Sequence, residues 1–160
     1  MKYIAITLVI ALLAAVGGVG YLYLTANVVV DAVSVTATEA SAAPDHFDAL
    51  SALMEEGAMT GTVFSDKPLE SAEHYQFLTY TVRLKNDAYL PAEMVELQIT
   101  PMDGDVVQLP TSGTPAIAKR SDGQVQATIL TDIHSHTVRE INISYYMWGF
   151  PFTLRTTYSR

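Results

Sequence analysis

His134 and His136 stand two residues apart in a chain of 160 residues that has four histidines and no cysteine. On a strand this spacing puts both imidazoles on one side, where a pair can ligate a metal ion. Asp132 and Glu140 flank the pair and offer oxygen ligands. A complete site needs three or four ligands. His134 and His136 are therefore candidate metal ligands, set against the plainer reading of polar loop residues, and no cofactor is expected. Asp103-Gly104-Asp105 offers carboxylates to calcium. The spaced acids of a calcium loop do not follow it, and Asp and Gly suit a turn for backbone reasons alone. Glu55-Glu56, Asp66, and Glu70 with Glu73 are carboxylates of the kind glycoside chemistry uses in pairs. A solvated acidic face is the simpler account. No serine has a G-x-S-x-G setting, and there is neither a phosphate-binding glycine loop nor a dinucleotide fingerprint. The absence of cysteine removes thiol catalysis, cysteine zinc sites, disulfides and lipoprotein-type lipid attachment. The expectation is a protein that is not an enzyme.

The densest aromatic stretch is YYMWGFPF at residues 145–152, which holds the single Trp. Packing of the last strands into a core is the ordinary reading, because aromatic rings dominate cores. The alternative is an exposed platform for a glycan or protein partner, with Tyr146, Trp148 and Phe150 as the binding residues. Strand alternation sends Tyr145 and Tyr146 to opposite faces, so one of them is accessible or under a loop. Gly149 and Pro151 mark an irregular edge, where a partner can pair with a free strand.

The segment that positions everything else is residues 3–24, YIAITLVIALLAAVGGVGYLYL, which carries no charge. As a helix at ~1.5 Å per residue it reaches ~33 Å, the thickness of a bilayer's hydrocarbon core. It predicts a membrane anchor over residues 1–26 and one extracytoplasmic domain over residues 27–160. Ala15-Val16-Gly17 could serve as a signal-peptide cleavage site, but the apolar run continues past it through Tyr21, Leu22 and Leu24. That length favours a retained anchor. Lys2 precedes the span and the next base is Lys67, so the positive-inside tendency puts the N-terminus in the cytoplasm. Tyr21 and Tyr23 fall where interfacial rings are enriched, and Ala14 with Gly18 forms a small-xxx-small pair.

The formal charge is −8, and residues 31–73 hold nine acids against Lys67 alone. Such a surface repels phosphate backbones, which excludes nucleic acid as a partner, and it disfavours docking on anionic lipid.

Beyond the span, residues 27–39 are rich in Val and Thr and predict a strand with a bulge at Asp31-Ala32. Residues 45–56 place Phe47, Leu50, Leu53 and Met54 on one helical face, closed by Gly57 and lying over one end of a sheet. Strands follow at 59–64, 75–84, 92–100, 105–109, 116–119, 124–130, 138–146 and from Phe152 onward, with Ser121-Asp122-Gly123 as a hairpin turn. Leu78, Tyr80, Val82 and Leu84 share one face, as do Val95, Leu97 and Ile99, and Ile141, Ile143 and Tyr145. Strands do not alternate with helices. The pattern is mainly β: an antiparallel immunoglobulin-like β-sandwich of seven to nine strands with one short helix, behind an N-terminal transmembrane helix.

TYTVRLKND at 79–87 followed by LPAEMVELQIT at 90–100 resembles the immunoglobulin-like modules of the CARDB and LEA14/WHy type, and single-pass proteins of Gram-positive gut bacteria. The resemblance covers about twenty residues. It implies a fold and a cell-surface setting, and no catalytic residue. The function expected is a membrane-anchored, non-catalytic interaction or assembly module of a bacterial cell envelope. Its partners would be the bilayer and an envelope protein or polymer. The alternative is an accessory carbohydrate- or metal-binding domain.

Overall fold

The computed structural model describes residues 2–159. Met1 and Arg160, the outer limits of the two expected segments, lie outside the described residues. Helix α1 (Lys2–Leu24) carries no charge from Tyr3 onward, and this stretch is long and apolar enough to cross a membrane, with its apolar window uncovered by the rest of the chain. A helix apolar on every side and largely uncovered has the character of a membrane span or a signal sequence.

There is no linker. Residues 25–27 close the last helical turn, with Thr25 N donating to Tyr21 O, and β1 (Val28–Glu39) begins at once. Asp87 N already donates to Asn27 O at 3.0 Å, so the chain enters the sandwich one residue before its first strand.

The remaining elements are α2 (Pro44–Glu55), β2 (Thr62–Val63), β3 (Tyr75–Asn86), β4 (Ala92–Ile99), β5 (Asp105–Gln108), β6 (Ser112–Gly113), β7 (Ala116–Ile117), β8 (Ser121–Asp132), β9 (Arg139–Met147) and β10 (Phe150–Tyr158). Among the described residues they form two antiparallel sheets. One has the order β1-β3-β8-β5-β2 with β6 on β8, and the other β10-β9-β4-β7. Seven strands have four residues or more, within the expected range, and three more are two-residue pairs.

Alternation builds the core as expected. Leu78, Tyr80, Val82 and Leu84 of β3 meet Val95, Leu97 and Ile99 of β4 and Ile141, Ile143 and Tyr145 of β9 in one buried cluster. The bulge in β1 falls between Val30 and Ala32. A second, smaller core lies outside the first sheet. Phe77 and Leu130 point away from the sandwich and are covered by Phe47 and Leu50 of α2. Helix α2 ends with Ala58 N donating to Leu53 O and Gly57 N to Met54 O, the paired bonds of a Schellman cap. Leu53 itself is exposed, so the helix buries a narrower face than its sequence predicted.

Three local expectations shift. The strand expected at 59–64 shrinks to Thr62–Val63, and the one at 116–119 to Ala116–Ile117. Asp122-Gly123 is not a turn but lies inside β8, opposite Lys85 and Leu84. The chain turns earlier, at Lys119-Arg120, where Arg120 takes a positive φ of 52°. Gly123 serves packing instead: a Cβ there would stand 2.6 Å from the Ile117 side chain, too close for any real contact.

Strand direction gives the sandwich two ends. The near end, beside the close of α1, gathers the turns at 86–91, 118–120 and 148–149. The far end gathers α2, the irregular segment 56–74 and the loops 100–104 and 133–138.

Candidate functional site

At the near end β9 and β10 form a hairpin whose turn is Trp148-Gly149, flanked by the pair Met147 and Phe150. Both turn residues have positive φ, 50° and 81°. This is the signature of a primed two-residue turn, which matches the twist of the strands it joins. Glycine adopts it freely, whereas a bulky residue does so under strain, so Trp148 is an outlier of the kind that collects at functional positions.

Alternation sorts the aromatic residues of the stretch. Tyr145 and Met147 enter the core, and Phe152 is half-buried. Tyr146, Trp148 and Phe150, the candidate binding residues, are all exposed, Trp148 by 60%. Tyr146 faces outward by alternation and Trp148 sits in the turn, whereas Phe150, opposite Met147 on the inward face, is exposed at the rim against Tyr23.

The rings also tie the hairpin to the helix. Tyr145 stacks on Phe152 at 5.5 Å between centroids, Phe152 lies 5.5 Å from Tyr23, and Tyr23 meets Phe150 edge-on at 5.7 Å. The core is therefore continuous, ring by ring, with the last turn of α1. Burial pushes the Tyr145 phenol above its usual pKa, against the smaller lowering effect of its backbone hydrogen bond with Val28.

The near end is fixed by one buried amide. Asn86 is fully enclosed, and its Nδ2 donates to Leu90 O, Ile117 O and Ala118 O while its Oδ1 accepts from Ala88 N. Every polar atom of the side chain is satisfied, and two turns are held in register.

The far end holds the expected metal pair. His134 and His136 are both exposed, on the 133–138 loop rather than on a strand. His134 N donates to Asp132 Oδ1 at 2.7 Å, so the nearest carboxylate is engaged by the backbone. Among the described residues no three His, Cys, Asp or Glu side chains gather into a group that could hold a metal ion.

Beneath this loop lies an ion pair that the sequence reading missed. Arg139 and Asp105 are buried, with side chains 1% and 0% exposed. Arg139 Nη2 donates to Asp105 Oδ1 at 2.7 Å and Nε to Oδ2 at 3.1 Å, a two-pronged contact. Arg139 Nη1 donates to His136 O and Val138 O, and Met102 N donates to Asp105 Oδ2. The pair staples the 100–104 and 133–138 loops together. Its signal was present in the sequence: Arg139 is in alternation with Ile141, Ile143 and Tyr145, so it had to point inward.

Tyr80 completes this node, donating to Thr137 O at 2.8 Å. Burial, set against the nearby Arg139 charge, pushes its pKa up to about 12. A cavity of about 480 Å³ opens beside it, lined by Lys67, Asp103, Asp132 and Tyr75 among others.

No protein-family model matches the chain, and no curated protein matches it. Among solved structures, the GAE domain of yeast GGA1 is similar at a TM-score of 0.40 and 15% identity, over 57% of this chain and 96% of that one. The class is defined by this chain's own sheets: a mainly β, immunoglobulin-like sandwich behind one long apolar helix.

Proposed function

We propose that the chain is a membrane-anchored interaction or assembly module, non-catalytic, with residues 1–26 as a retained anchor and residues 27–160 as a domain outside a bacterial cell membrane. The mechanism is tethering. The anchor fixes the sandwich at the bilayer, and the sandwich offers its faces and edge strands to an envelope protein or polymer. One observation carries the reading: α1 is apolar on all sides from Tyr3 to Leu24, touches the sandwich only through its last turns, and feeds β1 without a linker. A cleavable leader has no need of ring contacts with the mature fold, whereas Tyr23 is in contact with both Phe150 and Phe152.

The far end suits the outward role. Helix α2 and segment 56–74 present Asp45, Asp48, Glu55, Glu56, Glu70 and Glu73 with Lys67 as the base among them. A basic or polar partner fits this surface better than nucleic acid or anionic lipid. Affinity purification of the detergent-solubilised chain tests the module reading against the carbohydrate reading. The expected result is one membrane-envelope partner in stoichiometric yield, reduced when Glu55, Glu56, Glu70 and Glu73 are changed to Gln. Saturable binding on a glycan array, with no such partner, would favour the accessory carbohydrate-binding domain instead.

A further inference from the structure

We infer that the β9–β10 hairpin is a second membrane contact, with Trp148 and Phe150 seated in the lipid–water interface that receives the end of α1. The inference deepens the tethering proposal and rests on its reading of α1 as a retained span.

The argument is one of level along the helix. Val19, Leu22 and Tyr23 of α1 share a small apolar crevice with Trp148, Phe150 and Phe152 of the hairpin. Val19 lies five residues before Leu24, which is ~7.5 Å along a helix axis. The span Tyr3–Leu24 is ~33 Å long, about the hydrocarbon thickness, so it has almost no length to spare. A hairpin that lies alongside Val19 and Tyr23 cannot stand clear of the bilayer while those residues are in it. Its tip is carried down to the boundary between headgroups and acyl chains.

The composition suits that depth. No residue from Ile141 to Leu154 is charged. Trp and Tyr are the residues enriched at this boundary, and Tyr21, Tyr23, Tyr146 and Trp148 are all exposed at the near end. On the adjoining turn the Arg120 guanidinium sits 4.4 Å over the exposed Tyr89 ring, an amphipathic pair of the kind that snorkels. The strained backbone at Trp148 also gains a purpose, since a primed turn throws its side chain outward at the tip. A glycan platform would need the same residues free in water, which their position beside Val19 opposes. With two contacts, a helix and a hairpin, the sandwich is held at a fixed tilt instead of swinging on its tether.

Trp148 is the single Trp and reports on itself. The full chain is reconstituted into phosphatidylcholine vesicles, with and without bromine on the acyl chains, and floated on a density gradient. The expected result is flotation, quenching of Trp148 emission by at least about two-fold in the brominated vesicles, and little quenching by aqueous iodide. The variant Trp148→Phe/His134→Trp moves the reporter to the far end and should reverse both responses. Flotation with Trp148 open to iodide and blind to bromine would overturn the hairpin contact alone. Failure to float would overturn the retained anchor, and the hairpin contact with it.

Discussion

The two ends of the sandwich are held by different chemistry. At the near end a neutral amide, Asn86, ties two turns through four bonds to backbone atoms, and the surroundings are aromatic. At the far end a buried ion pair, Arg139–Asp105, ties two loops, and the surroundings are acidic. Both solutions leave nothing unpaired: among the described residues no buried side-chain nitrogen or oxygen lacks a partner. The difference teaches that the two ends solve one packing problem with opposite means. The near-end node is neutral although its turns carry Lys85, Asp87, Lys119 and Arg120 at the surface, whereas the far-end node is itself a buried charge pair that depends on both partners being present.

The comparison breaks most sharply at the far end. Arg139→Met leaves the buried Asp105 carboxylate without its counter-ion, with only the Met102 amide still donating to it, and should cost roughly 3–5 kcal/mol. In a thermal melt of the detergent-solubilised chain this is a fall of about 10 °C or more. Adding Asp105→Leu should recover part of the loss, because a buried pair replaced whole by apolar groups is often neutral. Asn86→Ala strands three carbonyls and the Ala88 amide, and should cost about 1–3 kcal/mol in urea unfolding. Emission from Trp148, on the same end, should shift in this variant and not in Arg139→Met before unfolding.

The sharpening test is alkaline. Tyr80 holds its proton in the folded chain up to about 12, against 10.0 for the free phenol. The folded state therefore binds more protons between these values. The Tyr80 contribution to stability should be full below pH 10 and be lost as pH rises toward 12, by on the order of 2 kcal/mol. Tyr80→Phe should flatten much of that slope in a pH series of denaturant midpoints, leaving the smaller contribution of Tyr145. The smallest effect belongs to the surface. Glu70 Oε2 lies 2.8 Å from His74 Nδ1 with both side chains more than half exposed, and Glu70→Gln should change the midpoint by less than about 0.5 kcal/mol.

The sheets were legible because alternation is a local property. β3, β4 and β9 each write their inward faces in consecutive odd or even positions, and the bulge at Asp31 shows as a slip in that count. Turns were less legible. Asp122-Gly123 has turn chemistry, yet the chain reverses at Lys119-Arg120, since Ile117 needs the space that Gly123 leaves. The site was half legible. The aromatic stretch stood out by composition, but its position beside Val19 depends on how two sheets close, which no window of sequence contains. The Arg139–Asp105 pair was not legible as a pair: register points Arg139 inward with Ile141 and Ile143, but its partner lies 34 residues away on another strand. The edge of β4 shows the same limit, because Gln108 and Thr111 side chains bond Leu97 and Ile99 there where a neighbouring strand would otherwise pair.

The central claim is that α1 stays on the protein and in the bilayer. Peptide mass mapping of the chain recovered from carbonate-washed bacterial membranes tests it directly. The account predicts that peptides covering residues 3–24 remain joined to the sandwich in the membrane pellet. A chain found in the soluble wash and starting near residue 18 would contradict it.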